Sequence, residues 1–249
     1  MAVITAPEKV ALLRRSGQIA AAALAKVTSA VRPGISTAEL NSLAETEIRE
    51  AGGRPSFLGY EGYPASLCTS INNEVVHGIP SAGRRLKAGD IIGLDIGVDY
   101  QGLFSDHAVT VAVGKTSPDN QRLIDDTTEA LRLGLAAVAP GATVGDIGAA
   151  VEGYLRPKHY GIVTQLTGHG LGYTVHEAPA IPNVGRPGTG QKLQVGMVLA
   201  IEPMVALGQP DVVTAADGWT VLTADGRPAA HMEHTIIVTP TGYDIITQP

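Results

Sequence analysis

Between residues 8 and 31 the apolar positions recur at helical spacing in an alanine- and leucine-rich stretch, which predicts a long first helix. Pro33-Gly34 break that pattern, Ser36 stands where an N-cap belongs, and Glu39 follows three positions later, the order of a capping box opening a second helix. The same grammar returns 107 positions on, with Ala130-Leu131, Ala137-Val138, a Pro140-Gly141 break, Thr143 as the cap and Asp146 three further along. Each helix pair is followed by β-prone apolar runs, at 67–76 and 91–113 in the first half and at 161–167, 197–206 and 235–246 in the second. Two helices and several strands, stated twice, predict an α+β fold with strands in one layer and helices on the other. No low-complexity linker intervenes, so residues 1–249 read as a single domain carrying an internal duplication, with halves at roughly 8–115 and 120–249. A site built at the seam would draw strand ends from both halves.

One strand pair already carries chemistry. In "GLDIGVDYQGLFSDHAVTV", residues 93–111, alternating apolar positions flank Asp99-Tyr100-Gln101-Gly102 and predict a β-hairpin. A turn centred between Tyr100 and Gln101 would pair Val98 with Leu103 and Asp95 with Asp106. The two carboxylates would then face each other across the strands at about 5 Å between Cβ atoms, a repulsive arrangement unless one is protonated or a cation sits between them. Two further acids occupy costly places: Glu202 closes the apolar run 196–201, and Glu233 precedes the run 234–239.

The segment "TGHGLGYTVHEAP", residues 167–179, holds His169 and His176 seven positions apart, too far for a helical zinc motif with histidines at i and i+4. Its Tyr173-Thr174-Val175 is β-prone and prolines follow, so it does not open into a helix as a phosphate loop would. Taking His169 with Asp95, Asp106, Glu202 and Glu233 gives an oxygen-rich donor set suited to Mn²⁺, Fe²⁺ or Co²⁺. Four carboxylates nearly balance two divalent ions, which points to a dinuclear centre with bridging carboxylates and a bridging water.

Composition narrows the partners. A net charge of −6 argues against a nucleic-acid-binding surface and favours small molecules or peptides. The single cysteine, Cys68, excludes an intrachain disulfide and fits a reducing compartment. Arg14-Arg15 ahead of the apolar run 19–25 superficially imitates a twin-arginine leader, but the run is mostly alanine, stops at Lys26 and reads as part of the first helix. No run approaches the roughly 20 apolar residues of a membrane span, and the chain reads as cytoplasmic.

In order and spacing, Asp95, Asp106, His169, Glu202 and Glu233 resemble the five ligands of the pita-bread metallohydrolases. The strings "NEVVHGIP" (73–80), "GHGLGYTVHEAP" (168–179), "AIEPM" (200–204) and "EHT" (233–235) are similar to those of the type I methionine aminopeptidases, and the resemblance runs from about Pro7 onward. Met204 after Glu202-Pro203, where relatives cutting before proline carry glycine, and only 25 residues between His176 and Glu202, where type II enzymes carry a helical insertion, support that assignment.

The resemblance implies a pita-bread fold, two pseudo-symmetric halves with a curved antiparallel sheet covered by helices. It implies that Asp95 holds one divalent ion, that Asp106 and Glu233 bridge two, and that His169 and Glu202 hold the other, the ions being Co²⁺, Mn²⁺ or Fe²⁺. Glu202 would also act as general base, His176 would donate to the scissile carbonyl or tetrahedral intermediate, and His77 would contact substrate and assist turnover, making His77, His176 and Glu202 the catalytic residues. Phe57, Tyr60, Tyr63, Cys68, Val175 and Trp219 would line the methionine pocket, whose aromatic and sulfur-bearing walls suit a thioether. Glu61 and Val175 depart from the pattern of several bacterial members, which carry a polar or histidine and an aromatic residue there, so the pocket's shape would differ. The implied partners are N-terminal methionyl peptides and nascent chains with a small second residue, with a transient ribosome contact, no nucleic acid, no membrane and a monomeric state.

Overall fold

The computed structural model describes residues 1–248. Helix α1 spans Pro7–Ala30 and starts on a proline, whose missing N–H costs nothing in a first turn. Helix α2, Thr37–Glu50, opens with the expected box: Ser36 Oγ accepts from the Glu39 N–H and Glu39 Oε2 accepts from the Ser36 N–H. Helices α3, Pro118–Ala136, and α4, Val144–Leu155, form the second pair, and Thr143 and Asp146 build the same reciprocal box at the start of α4. Arg14-Arg15 and the run behind them lie inside α1, and among the described residues no helix is long and apolar enough to cross a membrane.

The helices cover one curled antiparallel sheet of nine strands. In chain order these are β1 (Arg54–Pro55), β2 (Cys68–Ile71), β3 (Ile91–Tyr100), β4 (Leu103–Ala112), β5 (Gly168–Gly170), β6 (Glu177–Ile181), β7 (Val198–Ile201), β8 (Glu233–Thr239) and β9 (Gly242–Ile245). The spatial path is β1-β3-β4-β8-β7-β5-β6, with β2 also on β3 and β9 also on β8. Ile19, Leu24, Leu40 and Ile48 of α1 and α2 pack on Ile92, Leu94, Ile96 and Val98 of β3. Leu123, Leu131 and Val151 of α3 and α4 pack on Leu199, Ile201, Ile236 and Val238 of β7 and β8. The helix pairs thus shield the two halves of the sheet, and the halves meet where β4 pairs with β8 through Glu233↔Ala108 and His234↔His107.

Three sequence expectations need correction. The β3–β4 register differs by two: Tyr100 pairs with Leu103, Gly97 with Asp106, and Asp95 with Ala108. The turn centres on Gln101-Gly102, both at positive φ, with Asp99 Oδ1 accepting the Gly102 N–H, so the two-residue hairpin geometry sets the pairing. A shift of two preserves the face, and Asp95 and Asp106 become diagonal neighbours on one side of the sheet. The run 197–206 is two strands, because Glu202-Pro203 interrupts it and Met204–Ala206 joins Gly161–Ile162 and Ala229–His231 in a separate small sheet. Tyr173-Thr174-Val175 is a loop, since Gly172 turns the chain at φ 135° and the Glu177 carboxylate takes the N–H groups of Tyr173 and Thr174.

Candidate metal centre

Five neighbouring strands bring the five expected ligands together. Along the path β3-β4-β8-β7-β5, Asp95 comes from β3, Asp106 from β4, Glu233 from the first position of β8, Glu202 from the residue after β7, and His169 from β5. All five line one cavity of about 360 Å³. Local bonds hold their backbones: Thr235 Oγ1 accepts from the Asp106 N–H at 2.9 Å and donates to the Asp106 carbonyl at 2.8 Å, while the buried Asn183 amide donates to the Glu202 carbonyl at 3.0 Å. The His107 Nδ1–H donates to the Glu233 carbonyl at 2.6 Å, and the His107 ring stacks on His234 with centroids 4.5 Å apart.

The side chains leave oxygens free. Asp95 Oδ1, Asp106 Oδ1 and Glu233 Oε1 are buried without a hydrogen-bond partner, and among the described residues no lysine or arginine lines the cavity. Burial, reinforced by the adjoining carboxylates, raises Asp106 and Glu233 well above the ordinary carboxylate range and pushes Asp95 to about 6. Glu202 goes the other way: burial would raise it, but the imidazoles of His231 and His169 outweigh burial and hold it low. Donor atoms of Asp106, His169 and Glu233 lie within 4.8 Å of one another, and so do those of Glu202, His231 and Glu233. Orphaned carboxylate oxygens in a cavity with no fixed cation are the chemistry of a divalent-metal site, and the residues fit one.

A second set of residues shapes the space beside these donors. Phe57, Tyr60, Tyr63, Cys68 and Trp219 line the cavity, with the Trp219 ring edge-on to Tyr63 at 5.1 Å between centroids. The Tyr63 hydroxyl donates to the Gly78 carbonyl at 3.1 Å, which fixes the ring. Cys68 pairs with Asp95 across β2 and β3, and burial followed by the Asp95 charge pushes its thiol well up, so it is a wall and not a nucleophile. Val175 is buried behind that wall, packed with Phe57, Tyr63 and Cys68, and does not itself line the cavity. Glu61 does line it, held at φ 48° in the left-handed region.

His77 and His176 flank the donors. His77 sits at φ 60° with its ring edge-on to Trp219 and its pKa lowered by burial. The His176 ring lies 4.4 Å from that of His169, and its Nδ1 is 3.1 Å from the Tyr60 hydroxyl. Desolvation, with His169 adding to it, lowers His176 to about 4, so at neutral pH it is an uncharged imidazole. The loop carrying it is shaped by Glu177, whose Oε1 caps two successive N–H groups just upstream.

Sequence reasoning missed His231, which lines the same cavity with its Nε2 3.2 Å from Glu202 Oε2 and 3.8 Å from Glu233 Oε2. The available sign was its place two residues before Glu233, the spacing at which side chains of an extended chain share a face.

Comparison with known proteins gives the family and the fold. Residues 11–240 match the profile of metallopeptidase family M24. The methionine aminopeptidase 1 of Bacillus subtilis is 44% identical over 248 residues, covering 100% of both chains. The crystal structure of a methionine aminopeptidase from Thermotoga maritima superposes with a TM-score of 0.98 at 38% identity, again over 100% of both chains. A prolidase from Pyrococcus furiosus shares the fold at a TM-score of 0.81 and 21% identity, covering 99% of this chain and 66% of its own.

Proposed function

The chain belongs to metallopeptidase family M24, and from that premise we infer that it removes the N-terminal methionine from peptides and nascent proteins whose second residue is small. The observation that carries this reading is the convergence of Asp95, Asp106, His169, Glu202 and Glu233 from five adjacent strands beside a recess with aromatic and thiol walls, which suit a thioether.

We propose that these residues would hold two divalent ions, Asp95 on one, His169 and Glu202 on the other, and Asp106 and Glu233 shared by both, with Mn²⁺, Fe²⁺ or Co²⁺ as the hard to borderline ions such donors favour. When bound, the ions supply Lewis-acid chemistry, lowering the pKa of a water molecule into the neutral range and polarising the substrate carbonyl. Glu202, kept ionised by its two imidazole neighbours, takes the water's proton and later returns it to the leaving amine. His176 Nδ1 lies 3.1 Å from the Tyr60 hydroxyl; with that hydroxyl as the donor, the ring proton sits on Nε2 for donation to the carbonyl oxygen as charge develops there. His77, anchored at positive φ beside Trp219, contacts the substrate backbone. Phe57, Tyr60, Tyr63, Cys68 and Trp219 enclose the methionine side chain. Val175 backs that wall, and Glu61 sits on the cavity lining.

We also propose that residues 1–249 form one catalytic domain whose halves derive from duplication. Two capping boxes 107 positions apart, each opening the second helix of a pair on the same sheet, support this. A cytoplasmic, monomeric enzyme meeting nascent chains at the ribosome completes the reading.

The test is an assay of metal-stripped protein resupplied with Mn²⁺, Fe²⁺, Co²⁺ or Zn²⁺ on Met-Ala-Ser, Met-Lys-Ser and Ala-Pro peptides. Methionine should be released from the first alone. Cleavage only of the Ala-Pro peptide, or of none, would sink the reading.

A further inference from the structure

We propose that His231 is a sixth donor of the metal centre, giving an imidazole nitrogen to the ion opposite His169. The inference rests on the dinuclear reading above and deepens it. His231 ends the strand Ala229–His231, which belongs to the small sheet and not to the one that supplies the other donors. Thr110 pins it over β4: its hydroxyl accepts from the His231 N–H and donates to the His231 carbonyl, both at 2.9 Å. The residue is 3% exposed, and its Nε2 is buried without a hydrogen-bond partner, a costly state for a ring nitrogen.

The spacing around that nitrogen is the spacing of ligands on a shared ion. Nε2 stands 3.2 Å from Glu202 Oε2 and 3.8 Å from Glu233 Oε2, yet is aligned for a hydrogen bond to neither. Two atoms each about 2.1 Å from one ion, at square or tetrahedral angles, lie roughly 3.0–3.4 Å apart; the 3.2 Å to Glu202 falls in that range, and the 3.8 Å to Glu233 corresponds to a wider angle of about 130° at the ion. His169 Nε2 is in a parallel position, 3.5 Å from Glu202 Oε1 and 4.0 Å from Asp106 Oδ2. The donor atoms accordingly fall into two groups, Asp106, His169 and Glu233 on one side and Glu202, His231 and Glu233 on the other; Glu202, placed above with His169 through Oε1, reaches the second group through Oε2, so each side carries one imidazole. With a nitrogen on each side the centre accepts Zn²⁺ more readily than a carboxylate-dominated pair would.

Two measurements test this: the crystal structure of the Zn²⁺-loaded protein, and calorimetric titration of Zn²⁺ into wild type, His231→Gln and His231→Leu, with circular dichroism to verify folding. The expected result is Nε2 at about 2.1 Å from an ion, the Zn–N bond length. Both variants should then bind the weaker ion at least about tenfold less tightly. An ion pair seated with Nε2 instead at about 2.7–3.2 Å from Glu202, as a hydrogen-bond donor, overturns the inference while leaving the dinuclear reading intact. Wild-type affinity for both ions in a folded His231→Gln protein overturns it likewise. Failure of the wild type to bind a second ion removes the dinuclear reading and this inference together.

Discussion

At the scale of single residues, Asp106 is where the metal reading is most exposed to test. Its Oδ1 is orphaned and buried, and its backbone is held on both sides by Thr235, so changing the charge need not disturb the fold. Asp106→Asn should lower bound metal from about two ions per chain to one or none, with an unchanged circular dichroism spectrum; the bridging role predicts this because an amide is a poor bridge between two cations. Metal analysis after dialysis returning wild-type stoichiometry would contradict it. Tyr60 offers a finer test. Tyr60→Phe keeps the ring against His176, with centroids 5.3 Å apart in the wild type, but removes the hydroxyl bonded to His176 Nδ1, on which the proposed tautomer depends. One lost hydrogen bond of about 1 kcal/mol should reduce kcat about fivefold and leave KM nearly unchanged; steady-state kinetics on Met-Ala-Ser measures it. Legibility differs among these residues for a physical reason. The four acids stood out because a charge in an apolar run is expensive, and His169 by its glycine-rich segment, whereas Val175 and His231 carry no such mark. Whether a valine faces a cavity or backs its wall depends on one turn of loop, here the turn imposed by Gly172 and Glu177.

At the scale of elements, the capping boxes and helix limits could be read in advance because they rest on bonds within four residues, and α1 begins and ends within one residue of the expected span. The β3–β4 register could not, because two possible turn centres, Tyr100-Gln101 and Gln101-Gly102, leave the same alternation of faces, and only the Asp99–Gly102 bond chooses between them. Packing between elements makes two further predictions. Gly17 lies on the face of α1 pressed against β9 and the residue after it, where an added Cβ would stand 2.2 Å from the Ile246 carbonyl oxygen. Gly17→Ala gains about 1 kcal/mol of helix propensity, but overpacking against backbone that cannot move aside costs about 1–3 kcal/mol. The net is a lower urea midpoint than wild type, and an equal or higher midpoint would show that α1 can move. Between α3 and the end of α4, Asp126 accepts from the hydroxyls of Tyr154 at 2.7 Å and Tyr160 at 2.8 Å and pairs with Lys158. Burial raises its pKa, yet the two hydroxyls and the ammonium outweigh burial and hold it below the usual value. A depressed folded pKa stabilises above the unfolded pKa of about 3.9 and is lost as pH falls through the folded value. Asp126→Asn should therefore destabilise by about 1–2 kcal/mol at pH 7, with the gap from wild type narrowing below about pH 4. Denaturant titrations across that range decide it, and a gap independent of pH would assign the effect to packing alone.

At the scale of the whole molecule, the pairing of β4 with β8 is both the place proposed for the metal centre and an electrostatic liability. Asp106 and Glu233 come from β4 and β8, the strands that join the two halves, so the charges that repel one another sit on the pairing that closes the sheet. Without cations, Asp106 and Glu233 hold their protons well above the ordinary range, and Asp95 does so to about 6. An acid whose folded pKa is raised keeps a proton that the unfolded chain has already released, so folding stability falls as pH rises from the unfolded value toward the folded one. Chelated protein should therefore melt at a lower temperature at pH 8 than at pH 5.5. Metal binding acts in the opposite sense, because ligation requires the deprotonated carboxylates that high pH supplies. The increase in melting temperature on replacing EDTA with excess Mn²⁺ should accordingly be larger at pH 8 than at pH 5.5, and ions added at pH 5.5 should release measurable protons. An increment equal at the two pH values, with no proton release, would mean that the carboxylates are already ionised in the metal-free fold and that something other than a bound cation relieves their repulsion.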